Sequence, residues 1–337
     1  MQDLRASRGR STLACPDATT VLPGHVCLCR ASLCADRTEA GACVANKWIA
    51  GARPRTLPAA VVPVVVGTAA AVHDAGEWNH GVIVWRAIAA LVVSLAIQIA
   101  TNYANDYSDG VKGTDSAGRV GPIRLVASGL ASPRAVKRAA FLSFGVAGVA
   151  GLALAATAGW WLLAIGAASF LAGWFYTGGS RPYGYAGFGE LFVFVFFGLV
   201  ATAGSTYVQL EKFTGLSFAV AVPVGLFATA LLVVNNLRDI PTDAVTGKLT
   251  LAVRIGDKRT RILYLVLMTL PFVLVPFIAG LSRVGAALAF VALPSARKPV
   301  QIVLEGAKGP ALIPVLGRTG RIQLIYGVFL AIGLAIS

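Results

Sequence analysis

Between Arg86 and Asp106 the chain carries no charged residue. A helix of roughly 20 apolar residues spans the hydrocarbon of a bilayer, so a run of this length constrains the fold more than any other feature. It predicts a spanning helix over 83–106. Comparable runs predict further spans at 57–73, 134–157, 159–177, 188–209, 215–238, 260–281, 284–296 and 322–336. Pro58 falls in the first turn of its span, where proline is tolerated. The link between the third and fourth spans, near residues 157–159, is so short that they must form a hairpin. Over its 337 residues the chain is 56% hydrophobic and only 13% charged. A soluble domain carries about 25% charged residues. The fold class expected is therefore an all-α membrane protein of about nine transmembrane helices.

Charge gives the orientation. Net charge is +14. Lysine and arginine concentrate in 47–55, 107–138, at Arg181, in 238–261 and in 297–321. The intervening loops hold only Arg86, Lys212 and Arg283. Cytoplasmic loops carry the Lys/Arg excess, which predicts N-in and C-out. The basic residues are scattered between apolar runs and form no basic domain, so nucleic acid is not an expected partner and the lipid bilayer is.

All five cysteines lie before Lys47. Their spacing has no CxxC pair and no His-x-His partner, so no zinc knot is read from them. Residues 1–46 have no continuous apolar core of a signal peptide. They read as a disordered tail, or as an extension from a translation start placed too far upstream. Residues 47–337 read as a single transmembrane domain.

Two polar clusters close apolar runs. NYANDYSDGVKGTD, residues 102–115, ends the second span. NNLRDIPTD, residues 235–243, ends the sixth. On a helix, Asn102, Asn105, Asp106 and Asp109 are spaced i, i+3, i+4 and i+7 and share a face. Pro241 is expected to break the sixth helix, so Asp239 and Asp243 need not share one. Both clusters fall on the cytoplasmic side of the predicted topology. A weak repeat relates them, with helix, Asn/Asp cluster and basic loop at 85–124 and again at 215–259. Two similar half-bundles would bring the clusters together across one cavity.

Carboxylate and amide oxygens are hard ligands that suit Mg²⁺. Mg²⁺ is usually held by one or two carboxylates, with water and substrate phosphates completing its shell. Lys112, Arg119 and Arg124 trail the first cluster, and Lys248 and Arg254 trail the second. Acid and base together suit a site where Mg²⁺ and Lys/Arg neutralise a diphosphate. The plainer reading is that Asp106 and Asp239 cap helix ends and pair with loop arginines. The loop YTGGSRPYGYAGFGE, residues 176–190, supplies Tyr183 and Tyr185 among several glycines. Its rings suit an interfacial belt, or a flat pocket for a cation or aromatic acceptor.

In this order, NYANDYSDGVKGTD, GPIRLVASG, YTGGSRPYGYAGFGE and NNLRDIPTDAVTGKLTLAVRIG resemble the UbiA superfamily of intramembrane prenyltransferases. Within it they are most similar to the actinobacterial branch that acts on 1,4-dihydroxy-2-naphthoate in the menaquinone pathway. The resemblance runs from Trp48 to the C-terminus. It implies a nine-helix bundle around a central cavity open to the bilayer of the plasma membrane. It also implies Mg²⁺, two ions, with polyprenyl diphosphate as donor and the naphthoate as acceptor. The family's first motif, NDxxDxxxD, matches Asn105, Asp106 and Asp109. Its last aspartate arrives late, at Asp115. The second motif maps onto Asp239 and Asp243, preceded by Asn235, Asn236 and Arg238. The implied metal set is Asn105, Asp106, Asp109, Asp115, Asp239 and Asp243. Lys112, Arg124 and Lys248 are implied contacts of the diphosphate, with Asn102 beside them. Arg53, Arg181 and Tyr183 are implied for the acceptor or its carboxylate. Enzymes with other acceptors, such as 4-hydroxybenzoate or homogentisate, share the aspartate motifs. A transporter is the competing class, though transporter sites lie near the midplane and these clusters lie at helix ends.

Overall fold

Every predicted apolar run is helical in the computed structural model, and no strand forms among the described residues. These are residues 47–75, 82–114, 121, 124–282 and 284–336. The tail 1–46 with its cysteines lies outside the described residues, as do Glu77, His80, Asp115, Arg119 and Arg283.

Residues 47–52 form a short helical lead-in. The helices that follow are α1 (Pro58–Ala75), α2 (Val84–Lys112), α3 (Pro133–Ala158), α4 (Leu162–Phe175) and α5 (Gly189–Leu210). Then come α6 (Gly215–Val245), α7 (Leu251–Leu281), α8 (Val284–Leu304) and α9 (Gly309–Ile336). Eight of these are long and apolar enough to cross a membrane by length and composition, and α4 is a shorter apolar helix of 14 residues. At 1.5 Å per residue α4 reaches about 21 Å, less than the roughly 30 Å of a hydrocarbon core. The fourth span, expected over 159–177, is thus present as a helix but is shorter than a bilayer crossing.

Three boundaries differ from expectation. The helix carrying the second cluster runs through Pro241 to Val245. Proline removes only the one donor that would serve the Leu237 carbonyl, and the winding persists. Asp239 and Asp243 therefore do share a face. Helix α7 starts at Leu251 rather than near residue 260, bending at Gly256, whose φ of 79° only glycine adopts without strain. The expected basic loop 297–321 is mostly helical: α8 continues to Leu304 and α9 begins at Gly309. The segment 311–316 lies in the first turns of α9.

Lipid tails are as apolar as leucine, so helices in a membrane associate by close packing of small residues. That is how this bundle is built. A side-chain carbon on Gly67 of α1 would sit 2.2 Å from the Thr202 carbonyl oxygen of α5. One on Gly198 of α5 would sit 2.5 Å from the Gly225 backbone of α6, and one on Gly333 of α9 would sit 2.0 Å from the Gly285 carbonyl of α8. Helix α6 is the most buried span. Its Phe227 meets Phe272 of α7 and Tyr326 of α9 edge to face, at 5.8 and 5.0 Å between ring centres.

One staple closes the end of the bundle opposite the aspartate clusters. Arg86, 8% exposed near the start of α2, donates to the carbonyls of Val208 and Thr157, both at 2.8 Å, and to Glu211 at 2.9 Å. It thereby ties α2 to the ends of α3 and α5.

Candidate active site

Helices α1 to α6 and the start of α9 surround a cavity of about 770 Å³. Along α2 its wall changes character. Asp109, Asn105, Asn102, Gln98 and Ser94 line one end, and Val93 and Ala90 the other. From Asp109 to Ala90 is about 28 Å at 1.5 Å per residue. The middle of α5, Phe194–Val200, winds as a π-helix and sets Phe196, Phe197 and Val200 into the apolar wall.

The two sequence clusters meet at the polar end. Helix α6 contributes Asn235, Asn236, Arg238, Asp239 and Asp243 to the lining, and the loop after it contributes Lys248. Asp109 joins the two halves. Its Oδ2 lies 3.1 Å from Lys248 Nζ and 3.7 Å from an Arg124 guanidinium nitrogen, while its Oδ1 accepts from the Tyr185 hydroxyl. Asp239 accepts two bonds from Arg238, at 2.7 and 2.8 Å, and Arg238 also donates to Asn235 at 2.8 Å. Asn105 accepts from the Thr177 hydroxyl at 2.9 Å. Asn102 donates to the Ala52 carbonyl and to Thr56. Asn236 donates to buried Glu190 at 2.9 Å.

Four expected site residues stand elsewhere or act differently. The motif groups Asp106 with the metal set, but its carboxylate is outside the cavity wall. It accepts the backbone N–H groups of Leu125 at 2.8 Å and Val126 at 3.0 Å and is 1% exposed. One position round the helix from Asn105, it faces the 124–131 turn instead of the cavity. Gly110 permits that approach, since a side-chain carbon there would lie 2.4 Å from Val126. Lys112 is exposed and outside the lining; its ammonium donates to the Thr177 carbonyl at 2.6 Å and lies over the Tyr185 ring. Arg181 is exposed and also outside the lining, because the 177–182 turn points it away. Tyr183 does line the cavity, but with its ring, which stacks on Phe192 at 4.0 Å. Its hydroxyl donates to the Ala172 carbonyl, and burial pushes its pKa up, so it stays neutral.

Arg53 lines the cavity from a left-handed backbone, φ 55°, which a non-glycine residue adopts at a cost. Sequence reasoning does not single out Thr177, whose hydroxyl bonds the Asn105 side chain, and reads Tyr185 only as a ring, whereas its hydroxyl bonds Asp109. Both stand in the aromatic loop; nothing in their spacing told which would reach α2.

Among the described residues no three His, Cys, Asp or Glu side chains gather as a metal cage. The cavity instead offers Asp109, Asp239 and Asp243 with amide side chains beside them. This is a hard-oxygen set, and Mg²⁺ needs only one or two protein carboxylates when phosphate supplies the rest. Lysine and arginine already hold two of these carboxylates. The donors fit Mg²⁺ as an open site shared with a phosphorylated ligand.

The chain matches the UbiA prenyltransferase family over residues 60–302. It is 50% identical over 289 residues to the 1,4-dihydroxy-2-naphthoate octaprenyltransferase of Mycobacterium tuberculosis, covering 86% of this chain and 97% of that one. To the Escherichia coli enzyme of the same name it is 35% identical over 298 residues, covering 86% and 95%. A solved UbiA homolog from Archaeoglobus fulgidus bound to DMAPP and Mg²⁺ shares the fold, with a TM-score of 0.53 at 15% identity over 86% of this chain and 98% of that one. The Cd²⁺-bound form of that homolog gives 0.60 at 14% identity over the same shares.

Proposed function

The chain belongs to the UbiA prenyltransferase family, and from that premise we propose that it transfers a polyprenyl group from polyprenyl diphosphate to 1,4-dihydroxy-2-naphthoate. Diphosphate and CO₂ leave, and the product is a demethylmenaquinone in its quinol form. One observation carries the reading: a single cavity is cationic and oxygen-rich at one end and apolar for the rest of its length. That is the shape of a long allylic diphosphate. The acceptor follows from the relatives, which bear the naphthoate enzyme's name.

Arg124, Lys248 and Arg238 face the diphosphate and take up charge as the allylic C–O bond ionises. Bound Mg²⁺, two ions, would be held by Asn105, Asp109, Asp239 and Asp243 and would neutralise the leaving group. Asp115 remains with this set as an expectation from its motif. The apolar wall of α5 keeps water from the allylic cation, and the stacked rings of Tyr183 and Phe192 present a face to it. The same rings give the flat acceptor a surface, with Arg53 toward its carboxylate. The ring carbon bearing that carboxylate attacks the allylic carbon. The carboxylate then leaves as CO₂, returning its bonding pair to the ring. We place the enzyme in the plasma membrane, N-in and C-out, with residues 47–337 as one domain and the aspartate end toward the cytoplasm.

The test uses purified protein in detergent, 1,4-dihydroxy-2-naphthoate, a short prenyl diphosphate, and Mg²⁺ or EDTA. A Mg²⁺-dependent product lighter by CO₂ than the simple adduct is expected. Prenylation of 4-hydroxybenzoate with the naphthoate refused would overturn the acceptor. Silence with every acceptor would overturn the reaction.

A further inference from the structure

A second concavity lies on the outer face of α3, against Val92 of α2, and its lining shares no residue with the central cavity. Arg134, Lys137 and Arg138 stand at its mouth, and Phe141, Gly145, Val146 and Val149 continue it along the helix. The volume is about 1070 Å³, and its accessible surface is almost wholly apolar below the three cations.

The mouth is built rather than merely basic. Lys137 Nζ lies 5.5 Å from the Tyr107 ring centre and 6.0 Å from that of Phe141. Those rings are themselves packed on Trp174, at 6.2 and 5.0 Å. The ammonium is thus pinned by π-faces, which give it no hydrogen-bond acceptor. No carboxylate of the described residues lies within ion-pair distance of Arg134, Lys137 or Arg138. Three cations on one helical turn thus stand together where one anion can meet them.

The groove below the cations fits a hydrocarbon chain. From Lys137 to Val149 is about 18 Å along the helix. One leaflet of hydrocarbon is about 15 Å deep, half of a roughly 30 Å core. Phe141, Leu142, Val146 and Val149 are exposed along this stretch. At Gly145 the groove is open, since a side-chain carbon there would meet nothing within 4 Å.

We propose that this groove binds one anionic phospholipid, with its phosphate on Arg134, Lys137 and Arg138 and an acyl chain along Gly145 and Val149. The lining contains no carboxylate or amide oxygen to carry a metal. A diphosphate bears more charge and usually brings Mg²⁺ with it. A phosphodiester headgroup carries a single negative charge and needs no metal beside these cations. The inference rests on this face only and stands apart from the reaction assigned to the central cavity.

The test reconstitutes the full-length protein in nanodiscs of phosphatidylcholine containing a minor fraction of phosphatidylglycerol, then releases it for native mass spectrometry. Wild type should retain phosphatidylglycerol above its share of the bilayer. Gly145→Leu fills the open groove without touching a charge and should lower that retention at least fivefold. Lys137→Gln should do so too, while Lys258→Gln, a distant exposed cation, should not. Should Gly145→Leu fail to fold, Gly145→Ala and Lys137→Gln carry the test. Retention of phosphatidylglycerol only in proportion to its share of the bilayer, or undiminished phosphatidylglycerol on both groove variants, would refute the site. Displacement of the bound lipid by a prenyl diphosphate without Mg²⁺ would reassign the groove to that ligand and overturn the phospholipid.

Discussion

Asp106→Asn separates a structural carboxylate from a metal ligand. Wild-type Asp106 accepts the Leu125 and Val126 amides at 2.8 and 3.0 Å from a site 1% exposed. Asparagine keeps the shape but turns one of the two oxygens into a donor. One buried amide then faces an N–H, at a cost of about 1–3 kcal/mol, and the remaining bond loses its charge assistance, about 1 kcal/mol more. The damage lands on the turn that begins at Arg124, whose guanidinium reaches Asp109. Carried into the transition state in full, that total of about 2–4 kcal/mol lowers kcat/KM about 30- to 900-fold, since 1.36 kcal/mol is a factor of ten. The Mg²⁺ concentration giving half-maximal rate should stay within about twofold of wild type, because the carboxylate is off the cavity. Hydrogen exchange at Leu125 and Val126 should accelerate. Asp109→Asn is the contrast and should raise the Mg²⁺ requirement. A tenfold rise in that requirement for Asp106→Asn, with the two amides still protected, would refute the reasoning.

Three further outcomes follow from the geometry. Tyr185→Phe loses the hydroxyl bonded to Asp109 but keeps the ring beneath Lys112 and Lys248, so kcat should drop no more than about tenfold, one hydrogen bond's worth; Tyr185→Leu, which removes the ring as well, should drop further in the same steady-state assay. Gly67→Ala forces a carbon against the Thr202 carbonyl at the α1–α5 contact and should cost about 1–3 kcal/mol, read as a lower unfolding midpoint in detergent. Arg86→Met strips acceptors at Val208, Thr157 and Glu211 of their donor and should destabilise the bundle by about 2–4 kcal/mol with the Mg²⁺ response unchanged.

The helices were legible because hydrophobic length is a strong one-dimensional signal. The two clusters were legible because Asn and Asp at the ends of such runs have few structural reasons to be there. What spacing alone could not resolve was the direction of each side chain. Asn105 and Asp106 are neighbours in one motif, yet they sit on different flanks of α2, and only the position of the 124–131 turn tells which flank meets the cavity. Lys112 and Arg181 misled for a related reason: a basic residue near a cluster in sequence can belong to the outer side of a loop. Pro241 misled in the other direction, since a proline in the last turns of a long helix lost one donor without ending it. The last two helices were hard to bound because Arg297, Lys298, Arg318 and Arg321 dilute their apolar runs, although all four are helical in the fold. Tyr185 and Thr177 reach α2 only through the folding of a glycine-rich loop, which no periodicity describes.

The most direct measurement of the central claim uses 1,4-dihydroxy-2-naphthoate labelled with ¹³C in its carboxyl group. Released ¹³CO₂ and diphosphate are counted together, with Mg²⁺ and after chelation. The account predicts that the two appear in equal amounts, at equal rates, and that both stop when the metal is removed. Diphosphate released without ¹³CO₂, or a prenylated product that keeps the label, would contradict it.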